Sequence, residues 1–221
     1  MDQSKILPAA RRASLTLCSL TMAMVLTAIP PRAADAGEIR LLALGDSLTA
    51  GYGLTASAAF PARLEAKLRA MGHAVRVING GVSGDTTAGG RARLDWVLND
   101  RPRFAIVELG ANDGLRGLDP AMTRANLDAI ITRLKAARIA VLLTGMVAPP
   151  NMGREYEARF NAVFPALARK HDVAFYPFFL AGVALRPELK QHDGMHPNAD
   201  GVTEIVDRIT PYVVRLLKMP Q

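Results

Sequence analysis

From residue 39 onward the chain alternates short apolar runs with longer stretches in which apolar positions recur every three or four residues. The runs are Ile39–Leu44, Ala74–Ile78, Phe104–Leu109, Ile139–Thr144 and Val173–Tyr176. Each has the length of a strand and is nearly unbroken, the pattern of a strand buried on both faces. Between the first two, Phe60, Leu64 and Leu68 stand at i, i+4 and i+8, which predicts an amphipathic helix ended at Gly72. Thr86–Leu98 reads as a helix whose start is weakened by glycine. Asp119-Pro120 supplies an N-cap and a first-turn proline for a helix running to about Arg138. Met146–Arg154 reads as a loop. Glu155–His171 predicts a helix that Pro165 should kink or interrupt, and Ala199–Lys218 a closing helix bent by Pro211. Strand and helix in strict alternation imply a parallel sheet covered on both faces. The expected architecture is α/β: a flavodoxin-like three-layer α/β/α sandwich on a five-stranded parallel sheet. Strand order 2-1-3-4-5 puts the topological switch point beside the first strand.

Residues 1–36 do not follow this alternation. Lys5, Arg11 and Arg12 precede the apolar stretch Ala13–Ile29, then come Pro30-Pro31 and the small-residue site Ala34-Asp35-Ala36. That is the layout of a secretory signal peptide, and the stretch is short for a membrane span. The expected organisation is a cleaved signal over 1–36 and a single domain over 37–221, exported to a bacterial periplasm or beyond, with no stable membrane insertion once the signal is gone. The lone cysteine, Cys18, lies inside the signal, so disulfides, thiol nucleophiles and thiolate metal sites are not expected in the remainder. The formal charge of +7 is scattered in pairs such as Arg91/Arg93, Arg101/Arg103 and Arg169/Lys170. A nucleic-acid surface needs such charge clustered on one face, and single-strand binding needs aromatic platforms. At 5% aromatic residues this chain offers few, so nucleic acid is not an expected partner.

The chemistry collects where the strands end. Gly45-Asp46-Ser47-Leu48 follows the first, Gly80-Gly81-Val82-Ser83-Gly84-Asp85 the second and Gly110-Ala111-Asn112-Asp113 the third, while Asp193-Gly194-Met195-His196-Pro197 precedes the last helix. In an open α/β sheet the strand C-termini share one edge, outside which ligands bind. Each cluster alone has an ordinary explanation. Ser47 could be a turn or N-cap serine, Gly84 part of a plain loop, and Asn112 an Asx-turn residue. Together they supply a serine nucleophile, a glycine-loop amide and a side-chain amide for an oxyanion, and a base with its orienting carboxylate. In an Asp-x-x-His turn, Asp193 can reach Nδ1 of His196 and leave Nε2 for Ser47. The serine is not in a Gly-x-Ser-x-Gly elbow, which disfavours an α/β-hydrolase. His192, Asp193 and His196 also invite a metal reading, but a zinc site needs three or four ligands and no second pair accompanies them. Neither a metal nor an organic cofactor is expected.

Leu44–Gly53, Ser83–Thr87, Glu108–Gly117 and Asp193–Asn198 closely resemble the signature segments of the SGNH (GDSL) hydrolases. The likeness is strongest to their periplasmic thioesterase and arylesterase branch, and spans essentially all of 37–221. The resemblance implies Ser47 as nucleophile and Asp193 with His196 as its Asp/His pair. It implies the Ser47 and Gly84 amides and the Asn112 side chain as oxyanion donors. Ala111, between Gly110 and Asn112, is a mild variation on the pattern. Leu115, Met146, Val147 and Met152, with Leu118, are the apolar residues expected to wall an acyl pocket. The expected activity is a serine esterase for aryl and short-to-medium acyl esters, with thioesters and lysophospholipids as further substrates. The expected partner is a small-molecule ester or thioester, and the expected state a monomer. Two rivals share these residues: an exported carbohydrate O-deacetylase and a non-catalytic anion-binding module.

Overall fold

The computed structural model describes residues 37–219, so the signal segment and its cleavage site lie outside the described residues. Five strands form one sheet: β1 (Ile39–Gly45), β2 (Val75–Gly81), β3 (Phe104–Glu108), β4 (Ala140–Thr144) and β5 (Ala174–Tyr176). All neighbours are parallel, as the alternating pattern predicts, and the order β2-β1-β3-β4-β5 is that of the expected flavodoxin-like sandwich. Leu41 of β1 pairs with Val77 on one side and Phe104 on the other, so apolar strand faces lie in register across the sheet centre. Leu41, Leu42, Ala43 and Leu44 are fully buried, as are Ala105, Ile106 and Val107. A strand with both faces covered has no polar side, which is why these runs do not alternate.

Handedness decides where the helices go. From β1 the chain steps outward to β2, then returns past β1 to β3 and moves the other way through β4 and β5. Right-handed crossovers therefore send the first connection to one face and the later ones to the opposite face. α2 (Phe60–Ala70) packs against the closing helix α9 (Ala199–Leu217), while α3 (Thr87–Ala92), α6 (Pro120–Ala136) and α8 (Val163–His171) pack on one another. Leu64 and Leu68 of α2 and Ile205, Ile209 and Val213 of α9 are buried on the first face, and Ile130, Leu134, Phe164 and Leu167 on the second. Shorter helices complete the order: α1 (Ser47–Ala50), α4 (Leu94–Val97), α5 (Ala111–Leu115) and α7 (Arg154–Asn161).

One helix differs from the sequence expectation, for a local reason. The helix expected over Thr86–Leu98 breaks at Arg93, whose guanidinium turns inward to Asp85 Oδ2 at 2.6 Å and to the Gly45 carbonyl at 2.9 Å. The helix expected over Glu155–His171 is interrupted at Ala162, where Pro165 has no N–H to give the Asn161 carbonyl four residues back, as expected. The closing helix runs on through Pro211, with Ile209, Thr210 and Val213 all buried.

Phe164 ties this core to the loop after β3. It is fully buried, its ring meets Phe160 edge-on at 5.4 Å, and a Cβ on Gly110 would lie 3.0 Å from its Cζ. Phe164→Ala is therefore expected to lower unfolding free energy by about 3–5 kcal/mol. The check is chemical denaturation followed by circular dichroism.

Candidate active site

Ser47 begins α1 directly beyond the C-terminal edge of β1. Asp46 caps that helix, its Oδ1 accepting from Leu48 N at 3.0 Å, and Gly51 ends it in the left-handed region. Gly45 is glycine for lack of space: a Cβ there would stand 2.1 Å from Thr49 Oγ1 and 2.4 Å from Glu108 Oε2. The turn can close only without a side chain at its start.

His196 meets Ser47 although 149 residues separate them. Its Nε2 lies 2.9 Å from Ser47 Oγ and its Nδ1 2.6 Å from Asp193 Oδ2. An ionised Asp193 can only accept, so Nδ1 carries the proton and Nε2 presents a lone pair to the serine hydroxyl. Asp193 Oδ1 accepts from Met195 N and His196 N at 2.9 and 3.0 Å. The His196 hydrogen bond, with these two amides, holds the Asp193 carboxyl down at about 2. It is therefore ionised throughout the working pH range.

The loop carrying this pair is tied down at its base. Gln191 N donates to the His196 carbonyl at 2.8 Å, and Gln191 Nε2 donates to the carbonyls of Tyr52 and Pro197 at 2.7 and 3.0 Å. Asn198 caps α9 through Asp200 N and Gly201 N. The Tyr52 ring lies against the imidazole with centroids 4.6 Å apart.

The glycine loop and Asn112 close the other side. Gly84 has φ of 83°, a conformation that only glycine adopts without strain, and its carbonyl accepts from Arg116 Nη2 at 2.9 Å. Ser47 N–H and Gly84 N–H have no acceptor among the described residues. Asn112 Nδ2 donates to the Asp85 carbonyl at 2.9 Å and to Asp46 Oδ2 at 3.1 Å. Behind it, buried Asp113 accepts from Thr87 N, Thr87 Oγ1 and Thr123 Oγ1 at 2.8, 2.5 and 3.2 Å. These bonds join the loop after β2 to the loop after β3.

A cavity of about 660 Å³ opens from Ser47 and His196. Leu115, Met146 and Val147 line it as the sequence suggests, joined by Tyr52, Phe178, Leu180, Leu185 and Met195. Met152 does not. It ends the short 3₁₀ turn Pro150–Met152 and its Cε packs back toward Gly117, where a Cβ would lie 2.6 Å away. Leu118 is likewise off the wall. In the Phe178-Phe179 pair, Phe178 faces the cavity, while Phe179 is buried edge-on against Phe60 at 5.1 Å.

Sequence reasoning assigned no role to Tyr52, Asp46, Glu108 or Asp113. Asp46 and Glu108 are both fully buried. Burial pushes the Asp46 carboxyl up to about 6, against its bonds from Leu48 and Asn112. Burial also raises Glu108 well above the carboxylate range, with the charge of Asp46 adding to it. A charged residue inside a strand-like apolar run, as Glu108 is, was the one available signal.

Serine, imidazole and carboxylate in hydrogen-bonded series, with unpaired amides beside the serine, define a site equipped for nucleophilic acyl transfer. The GDSL-like lipase/acylhydrolase family model matches residues 43–203. Thioesterase 1/protease 1/lysophospholipase L1 of Escherichia coli K12 is 46% identical over 168 residues, 76% of this chain and 79% of that protein. An arylesterase of Vibrio mimicus is 38% identical over 204 residues, 92% of this chain and all of that one. The crystal structure of AlinE4, a SGNH-hydrolase family esterase, matches with TM-score 0.69 and 49% identity over 82% of this chain and 98% of that one. The chain belongs to the GDSL-like lipase/acylhydrolase family, as an ester-cleaving serine hydrolase.

Asp193→Asn keeps the shape of the turn but removes the charge opposite Nδ1 and the preference for the reactive tautomer. It is expected to lower kcat by roughly 10²–10⁴-fold, the span of general acid–base catalysis. Steady-state turnover of a p-nitrophenyl ester, with thermal unfolding as the fold control, measures this.

Proposed function

We propose that the chain hydrolyses aryl and short-to-medium acyl esters, and with them acyl thioesters and lysophospholipids, through an acyl-enzyme on Ser47. The observation that carries this reading is the unbroken series Asp193 Oδ2, His196 Nδ1, His196 Nε2, Ser47 Oγ, at 2.6 and 2.9 Å. In the first half-reaction Nε2 takes the Ser47 proton as Oγ bonds to the substrate carbonyl carbon. The carbonyl π pair moves to oxygen, where Ser47 N–H and Gly84 N–H receive it together with Asn112 Nδ2, which releases the Asp85 carbonyl and keeps Asp46 Oδ2. Collapse of that oxyanion breaks the bond to the leaving alcohol or thiol, which departs with the proton from Nε2. Water repeats the sequence, frees the acid and restores Ser47.

The cavity supports acyl rather than sugar recognition. Its 660 Å³ falls in the range of small-molecule sites, and Leu115, Met146, Val147, Phe178 and Leu180 give it an apolar lining. Every residue of the site comes from one chain, which supports action as a monomer. The same reading has the protein exported by a signal over residues 1–36, to the periplasm or secreted beyond it. No described helix is long and apolar enough to cross a membrane.

Ser47→Ala is expected to abolish p-nitrophenyl ester turnover, and a serine-directed phosphonate to add its mass to the wild type but not to that variant. Undiminished turnover in Ser47→Ala would overturn the mechanism. Asn112→Ala is expected to lower kcat by about 10²–10³-fold with little change in KM, since the oxyanion exists only on the reaction path. A kcat/KM series on p-nitrophenyl esters from acetyl to palmitoyl should rise and then fall as the acyl chain outgrows the cavity. Each favourable methylene step is worth about 1–3 kcal/mol or less.

A further inference from the structure

Two carboxyl groups lie beneath the nucleophile turn, neither forming an ion pair with a lysine or arginine among the described residues, and the mechanism above uses neither. Asp46 and Glu108 are both fully buried. Arg93, the guanidinium in this neighbourhood, is engaged by Asp85 Oδ2 at 2.6 Å and by the Gly45 carbonyl at 2.9 Å. The other ionisable groups acting on Asp46 are Asp85 and His196. Two adjacent carboxylates in a dry site cannot both ionise without a large cost.

Hydrogen bonding says which one keeps the proton. Asp46 accepts on both oxygens: Oδ1 from Leu48 N at 3.0 Å and Oδ2 from Asn112 Nδ2 at 3.1 Å. Glu108 accepts on one only. Its Oε2 receives Thr49 Oγ1 at 2.7 Å and Asp46 N at 3.3 Å, while buried Oε1 has no partner. A carboxylate with a bare buried oxygen is far costlier than a carboxylic acid in the same place. The charge therefore belongs on Asp46, whose Oδ2 holds the Asn112 amide beside the serine. A second charge on Glu108 would oppose the oxyanion that Asn112 is there to receive.

We propose that Glu108 is a positioning residue that works as a neutral carboxylic acid. Its Oε2 holds the Asp46–Thr49 turn, and its neutrality leaves Asp46 as the one buried charge that aims Asn112. The proposal rests on Asn112 serving the oxyanion, as in the mechanism above.

Two substitutions separate charge from shape. Glu108→Leu strips the acceptor from Asp46 N and Thr49 Oγ1. It is expected to lower kcat by about 10-fold to 10²-fold with KM nearly constant, the scale on which misplaced reacting groups lose rate. Glu108→Gln keeps an accepting oxygen and stays neutral. It is expected to recover most of that kcat and to leave the acid limb of the kcat/KM–pH profile where the wild type has it. A Glu108→Gln enzyme as slow as Glu108→Leu would overturn the proposal, as would an acid limb displaced downward by the removal of a negative charge. Infrared spectroscopy gives a readout that does not depend on Glu108→Leu folding. The wild type at neutral pH should show a protonated-carboxyl C=O band that Glu108→Gln lacks, and absence of that band in the wild type refutes the neutral acid. Failure of the mechanism itself would appear separately, as turnover surviving in Ser47→Ala.

Discussion

The end of β1 is the constraint on which the site depends. At Gly45 the strand must turn into α1 within a space already filled by Thr49 Oγ1 and Glu108 Oε2, each closer to a notional Cβ than contact allows. The turn is thus set by groups from two neighbouring strand ends, and Ser47 stands at a helix start whose cap, Asp46, is itself buried. Because β1 lies between β2 and β3, the loops after those strands flank the serine on either side. Sheet order alone brings Gly84 and Asn112 to the same crevice. A different order would have dispersed the same residues along the sheet edge.

What order cannot do is fix the loops to within hydrogen-bonding tolerance. Asp113 joins the segment after β2 to the segment after β3 through Thr87 and Thr123. Arg93 joins the glycine loop to the strand-one turn through Asp85 and Gly45. Gln191 joins the histidine loop to Tyr52. Three cross-links thus connect four segments, and each uses a group that is charged, buried or bonded to backbone. The consequence is electrostatic preorganisation of the Ser47 and Gly84 amides, which have no other acceptor among the described residues, while Asn112 Nδ2 has only to exchange the Asp85 carbonyl for the oxyanion.

Much of this was legible in the sequence, for identifiable reasons. The strands were legible because burial on both faces leaves unbroken apolar runs, and the order because 2-1-3-4-5 is the common order for a five-stranded doubly wound sheet. The residues of the Ser47–His196–Asp193 series were legible because each belongs to a short motif at a strand end or before a helix. The helix break at Arg93 was not, since the groups that draw its guanidinium inward, Asp85 and the Gly45 carbonyl, leave no mark in the local pattern. Met152 was misplaced on the cavity wall because apolarity in a loop does not say which way a side chain turns. Glu108, Asp113 and Thr87 escaped because their partners are remote in sequence, and a single chain carries no local trace of such pairings.

The buried carboxyls also say what this arrangement takes from the stability of the fold. A carboxyl whose native pKa exceeds its unfolded value binds more protons folded than unfolded between the two values, so stability falls as pH rises through that window. For Asp46 the window runs from the ordinary aspartate value of 3.8 to about 6. Glu108 has the same sign and a window extending further upward. Asp193 has the opposite sign: its contribution is present above the unfolded carboxylate value and is lost as pH falls toward about 2. Asp46 and Glu108 therefore favour folding least above their windows, where Asp193 contributes in full. An apolar pair of similar volume in place of Asp46 and Glu108 would remove that opposition, and with it the anchor for Asn112 and the acceptor that sets the turn. Here the demands of the reaction, more than those of folding, explain why acids stand at these two positions.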